Sequence, residues 1–84
     1  MLVVDKEFHG GLCKRYKFSN GLGASVVSGP HTYGGDSGLW ELAVIRWDGD
    51  EFSLTYDTPI TDDVIGHLTW DEVEALLTQI ERLV

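Results

Sequence analysis

The sequence predicts an α+β domain, a four-stranded antiparallel meander packed on one C-terminal helix in the order ββββα. Three observations carry that reading. Asn20-Gly21 and Asp48-Gly49 each separate two stretches of strand-like residues, and such dipeptides mark hairpin turns because their backbones tolerate positive φ. Thr69 is followed three residues later by Glu72, the pattern of a capping box at a helix start. Beyond it Val73, Leu76, Leu77, Ile80 and Leu83 recur at helical spacing, which gives one apolar stripe.

Each element follows in order. Residues 1–11 end in Gly10-Gly11 and read either as a loose arm or as an edge strand. From Leu12 to Phe18 the residues alternate loosely, with Leu12, Tyr16 and Phe18 on one face and Cys13, Arg15 and Lys17 on the other. Lys14 interrupts the apolar row. The returning strand, Leu22 to Ser28, sets Leu22, Ala24 and Val26 on one side. Residues 29–38 hold four glycines and a proline around Tyr33 and form a loop. Leu39 to Trp47 is apolar on both alternating faces, as expected of a central strand covered on both sides. Its open face is expected to carry Trp40, Leu42 and Val44, the inverse choice being Ile45 and Trp47. Glu51 to Tyr56 alternates cleanly, with Phe52, Leu54 and Tyr56 expected inward and Glu51, Ser53 and Thr55 outward. Asp57 to Leu68 is a connection with at most one helical turn at 62–66. Asp71, Glu72 and Glu74 in the first turns of the final helix suit its macrodipole, as does Arg82 at its end.

Eighty-four residues make a single domain, 1–84. The formal net charge is −8. It is unevenly spread: four cations face three carboxylates over residues 1–40, and two cations face eleven carboxylates over 41–84. An acidic half of that kind repels phosphate and anionic lipid, so direct nucleic-acid binding and membrane association are not expected. Cys13 is the single cysteine and has no intramolecular disulfide partner. No apolar run reaches the roughly 20 residues that span a bilayer, and residues 1–7 lack a signal-peptide pattern. The reading is cytoplasmic.

No motif identifies a reaction. His9, His31, His67 and Cys13 are not spaced as metal pairs or knuckles. Asp48-Gly49-Asp50-Glu51 lacks the ligand spacing of a calcium loop. Gly34-Gly35-Asp36-Ser37-Gly38 carries no lysine and leads into a strand, unlike a phosphate cradle. Its resemblance to a serine-protease nucleophile motif is one of letters, since so short a chain does not bring a histidine and an aspartate to that serine. No catalytic residue, metal ligand or cofactor site is expected, and the chain reads as a binding protein.

Lys17-Phe18-Ser19-Asn20-Gly21, Ser25-Val26-Val27, Tyr33-Gly34-Gly35, Leu39 to Val44 and Tyr56 to Thr69 together resemble a family of small, functionally uncharacterised proteins of tailed bacteriophages. The resemblance spans roughly residues 14–84. It implies a setting, the cytoplasm of an infected bacterium, and carries over no functional residue. In that setting the expected role is an accessory protein, such as an inhibitor, that binds a bacterial host protein. One helix covers one face of a sheet, and the other face meets water or a partner. The expected partner surface is that face with the glycine-rich loop, anchored by Tyr33, Trp40 and Trp47. Two alternatives are an acidic mimic of nucleic acid, presenting Asp48, Asp50, Asp62 and Asp63, and a homodimeric structural protein.

Overall fold

The computed structural model describes residues 2–8, 11–29, 38–55 and 64–83, apart from the Phe8 side chain. Tyr33, Tyr56, Asp62 and Asp63 lie outside these residues. Among the described residues six strands form one antiparallel sheet: β1 (Leu2–Phe8), β2 (Gly11–Lys17), β3 (Leu22–Ser28), β4 (Trp40–Asp48), β5 (Glu51–Leu54) and β6 (Ile65–Leu68). One helix, α1 (Trp70–Glu81), follows. The α+β class and the C-terminal helix agree with the sequence, while the sheet is larger than the four strands expected.

The sheet order is β1-β2-β3-β4-β5, and β6 also pairs with β4. Nine-residue β4 therefore serves as the spine. Its Ile45–Asp48 half pairs with β5 and its Trp40 end with β6, both on the edge that faces away from β3. β6 replaces the helical turn expected near 62–66, of which residues 62 and 63 are not described. Of the first eleven residues, Leu2–Phe8 form an edge strand, β1, paired along β2. Asp5, Lys6 and Glu7 in β1 are the charges that discourage edge-to-edge aggregation.

Both hairpin turns differ in detail from the two-residue Asn-Gly and Asp-Gly forms. Phe18 N–H donates to Leu22 O (2.9 Å), and Gly21 N–H donates to Phe18 O (3.2 Å). Only Gly21 there has positive φ, +85°. This is a three-residue loop closed by a left-handed glycine. At the second hairpin Asp48 pairs with Glu51, so the loop residues are Gly49-Asp50. Gly49 alone has positive φ, +63°, as a type II′ turn requires at its first central position.

The principal core lies between the sheet and α1. Leu22, Ala24, Val26, Leu42, Val44 and Phe18 from the sheet meet Val73 and Ile80 of the helix, with Leu68 alongside. The helix starts as its sequence dictates. Thr69 accepts from the Glu72 N–H, and the Glu72 carboxylate accepts from the Thr69 N–H. Its other end is held by a side chain from the first hairpin. Asn20 Nδ2 donates to Ile80 O and Leu83 O, each at 2.8 Å, and Asn20 Oδ1 accepts from Leu22 N–H at 3.0 Å. The helix rests chiefly on β3, with further contact to β4 and β6.

β6 contains an irregularity. Two steps along β4, from Trp40 to Leu42, match three steps along β6, from Leu68 to Ile65. The extra residue is absorbed where His67 takes a φ of +59°, a left-handed conformation that costs a residue with a Cβ about 1 kcal/mol. His67→Gly is expected to raise stability by about 0.5–1 kcal/mol in urea unfolding. An unchanged or lower midpoint would mean that contacts of the imidazole offset the strain.

Candidate functional site

The register assigns every sheet residue to a face. Trp40, Leu42 and Val44 face α1, where Trp40 packs on Trp70 with ring centroids 5.0 Å apart. The expected placement of Trp40 on the open face is therefore inverted. The second face carries Cys13, Arg15 and Lys17 of β2, Ala43, Ile45 and Trp47 of β4, and Phe52 and Leu54 of β5. Phe52 and Leu54, expected to point into the core, are 38% and 47% exposed on this face. Thr55, expected outward, is buried. Alternation identifies the two sides of a strand but not which side is covered, because both sides of this sheet bury apolar groups.

The middle of the second face is roofed by its own side chains. Trp47 lies over β3, its indole N–H donating to Tyr16 O at 2.9 Å. Gly23 makes room, since a Cβ there would meet both Tyr16 O and the indole nitrogen. Phe52 packs against Trp47 with ring centroids 5.4 Å apart. Arg15 reaches from β2 across β3 and β4, placing its guanidinium 4.6 Å from the Phe52 ring centre. Strands about 4.8 Å apart put β2 and β5 about 14 Å apart in a flat sheet, so this contact uses both the length of the arginine and the twist of the sheet. Beneath the roof Cys13 and Ile45 are buried.

What stays outside is a patch of mixed chemistry. Phe52 and Leu54 supply apolar area. The Lys17 ammonium sits 5.2 Å from the Trp47 ring centre and donates to Gly49 O at 2.8 Å. Lys17, Trp47 and Asp50 line a cavity of about 230 Å³ with Val3 and Val4. Asp48 and Asp50 stand exposed at the hairpin tip beside it. Arg15 Nε is buried with no hydrogen-bond partner among the described residues. Its positive charge is met by an aromatic ring, an attraction that strengthens where water is kept out. Of the anchors expected from sequence, Trp47 and the Asp48/Asp50 tip thus come together. Trp40 is on the opposite side, and Tyr33, Asp62 and Asp63 lie outside the described residues. Arg15, Phe52 and Leu54 were not singled out, although Phe52 and Leu54 stand directly across from Trp47 and Ile45 in the hairpin.

Comparison with known proteins finds no matching family, no matching curated relative and no matching solved structure. Function must be argued from the surface itself. Among the described residues no three histidine, cysteine, aspartate or glutamate side chains group to hold a metal ion. No helix among them is long and apolar enough to cross a membrane.

The α1 side offers a second, differently charged surface. Because the helix is off-centre, a groove remains between it and β1–β2. Leu2, Tyr16, Phe18, Glu74, Leu77, Thr78 and Glu81 line a cavity of about 280 Å³ there. A neighbouring cavity of about 420 Å³ shares Phe18 and Glu81. Burial raises the pKa of the Tyr16 hydroxyl above its ordinary value; Lys14 opposes that shift, while Asp5 and Glu74 add to it.

Proposed function

We propose that this chain is a binding protein that docks another protein on the Phe52–Leu54–Trp47 patch. The observation that carries the reading is the exposure of Phe52 and Leu54 beside Trp47 and Arg15, on the face that α1 does not cover. Aromatic side chains and arginine dominate the energetics of protein interfaces, and a charged rim sets orientation and encounter rate. Lys17, Asp48 and Asp50 supply such a rim. The partner we propose is a bacterial host protein, with its modulation as the outcome; this part rests on the resemblance to small phage proteins read from the sequence alone.

Phe52→Ser/Leu54→Ser tests the reading, because β5 is exposed throughout and its loss of apolar area should leave the principal core intact. The measurement is capture of a partner from bacterial lysate at low and high salt, with folding of each variant checked by circular dichroism. The native chain is expected to retain one specific protein at high salt. The double variant should lose at least about 90% of it, as the loss of a hot spot worth ~2 kcal/mol implies. Retention by the double variant would sink the patch. A partner lost at high salt and with Asp48→Lys/Asp50→Lys would instead favour acidic mimicry of nucleic acid. No partner, with a chain that sediments as a dimer, would favour the homodimeric structural role.

A further inference from the structure

We propose that the groove between α1 and β1–β2 is a docking slot for a basic amphipathic helix of a partner protein. It lies on the opposite side of the sheet from the Phe52 patch and does not depend on it.

The dimensions come first. Two strands about 4.8 Å apart make a shelf about 10 Å wide, the diameter of one helix with its side chains. Seven-residue β1 and β2 give the shelf a length of about 23 Å, enough for about 15 helical residues. One helix already occupies the other half of this side, so a second beside it would complete the layer.

The lining comes next. The floor is apolar: Leu2 and Leu12 are 43% and 44% exposed, and the rings of Tyr16 and Phe18 stack with centroids 6.5 Å apart. The α1 wall is the stripe Glu74, Leu77, Thr78, Glu81, in which one leucine stands between two carboxylates at helical spacing. Asp5 and Glu7 lie on the same side of β1, since they pair with Lys14 and Leu12 of the shelf.

Charge then decides the occupant. The slot holds four exposed carboxylates, Asp5, Glu7, Glu74 and Glu81, against one cation, Lys14. Lys14 is already paired with Asp5 at 3.0 Å and lies 5.9 Å from the Trp70 ring centre. An acidic rim around an apolar floor selects a helix with a leucine-like stripe flanked by lysine or arginine. A second copy of this chain does not fit that description. Its own helix carries Asp71, Glu72, Glu74 and Glu81, which the slot would repel.

The test uses the full chain, isotope-labelled, and two synthetic helices of about 15 residues. Both carry leucines at i, i+3, i+4 and i+7; one has lysine at the flanking positions and the other glutamate. The lysine peptide is expected to shift the amide resonances of Leu2, Tyr16, Phe18, Leu77 and Thr78 while Phe52 and Leu54 stay still. Its affinity should fall about tenfold or more with Glu74→Lys/Glu81→Lys and remain unchanged with Phe52→Ser/Leu54→Ser. The glutamate peptide should not bind. Absence of shifts with the lysine peptide up to millimolar concentration would overturn the proposal. So would shifts confined to the Phe52 side, equal binding of the glutamate peptide, or full affinity in the charge-reversed variant. The two peptides never touch the lysate assay of the Phe52 patch, so either surface can fail without the other.

Discussion

Replacing Gly23 with alanine is expected to cost about 3 kcal/mol, a large share of the stability of so small a domain. The position is in mid-strand, where glycine normally weakens a sheet. Here the missing Cβ is the reason for its presence. An added methyl would meet Tyr16 O, a backbone atom of the adjacent strand, and the Trp47 indole at Nε1 and Cδ1. Neither yields cheaply: the carbonyl is held in the β2–β3 pairing, and the indole donates to that same carbonyl. Overpacking of this kind forces backbone shifts or expels the ring. Urea unfolding would read the loss, and a red shift of tryptophan emission in the folded state would report release of Trp47. Gly21→Ala is the control. It has open space around it but a φ of +85°, so its cost should be near 1 kcal/mol with no change in emission. Equal midpoints for Gly23→Ala and the native chain would mean that the indole does not occupy the glycine's place.

Asn20→Ala is expected to cost about 2 kcal/mol. Asn20 terminates α1 although it is some sixty residues away in sequence. Its amide nitrogen satisfies carbonyls of Ile80 and Leu83, and its oxygen orders the hairpin through Leu22 N–H. Carbonyls at a helix end have no partner within the helix, and hydrogen bonds of this kind are each worth about 1 kcal/mol net. Asn20→Asp separates the two tasks. Aspartate serves the turn equally well, but it sets a carboxylate against the negative end of the helix and removes the donor. It should destabilise at least as much as alanine above pH 5, and less once acid protonates the carboxyl. A variant Asn20→Asp as stable as the native chain would reduce Asn20 to a turn residue.

The sequence carries most of this fold and less of its surface. Thr69 and Glu72 predict the helix start, and the Thr69 and Glu72 contacts form as expected. The strands around the two turns are legible because the Asn-Gly and Asp-Gly dipeptides delimit strand-like runs on either side. β6 is not legible, since Gly66 and His67 interrupt any alternation over only four residues. The direction of Phe52 and Leu54 is hidden for a different reason. Period-two patterning fixes which residues share a side, while the covered side depends on where α1 lands. That landing is decided by contacts distant in sequence, such as Asn20 with Ile80 and Trp40 with Trp70. The same distance conceals the roof of the second face, because Arg15 and Phe52 meet only after the four strands β2 to β5 have paired.

Among the described strands β2, β3 and β4 have paired neighbours along both edges, whereas β1, β5 and β6 each have one. β1 has one neighbour and an open edge. Amide protons should therefore exchange with solvent more slowly in β2, β3 and β4 than in β1, β5 and β6, as opening proceeds by cooperative segments from the less supported elements. Since β1 forms part of the floor of the groove beside α1, a helix seated there would slow exchange at an edge strand that otherwise exchanges early. An open edge of the sheet and the shelf beside α1 are then one place, where an arriving partner and the stability of the protein are thermodynamically coupled.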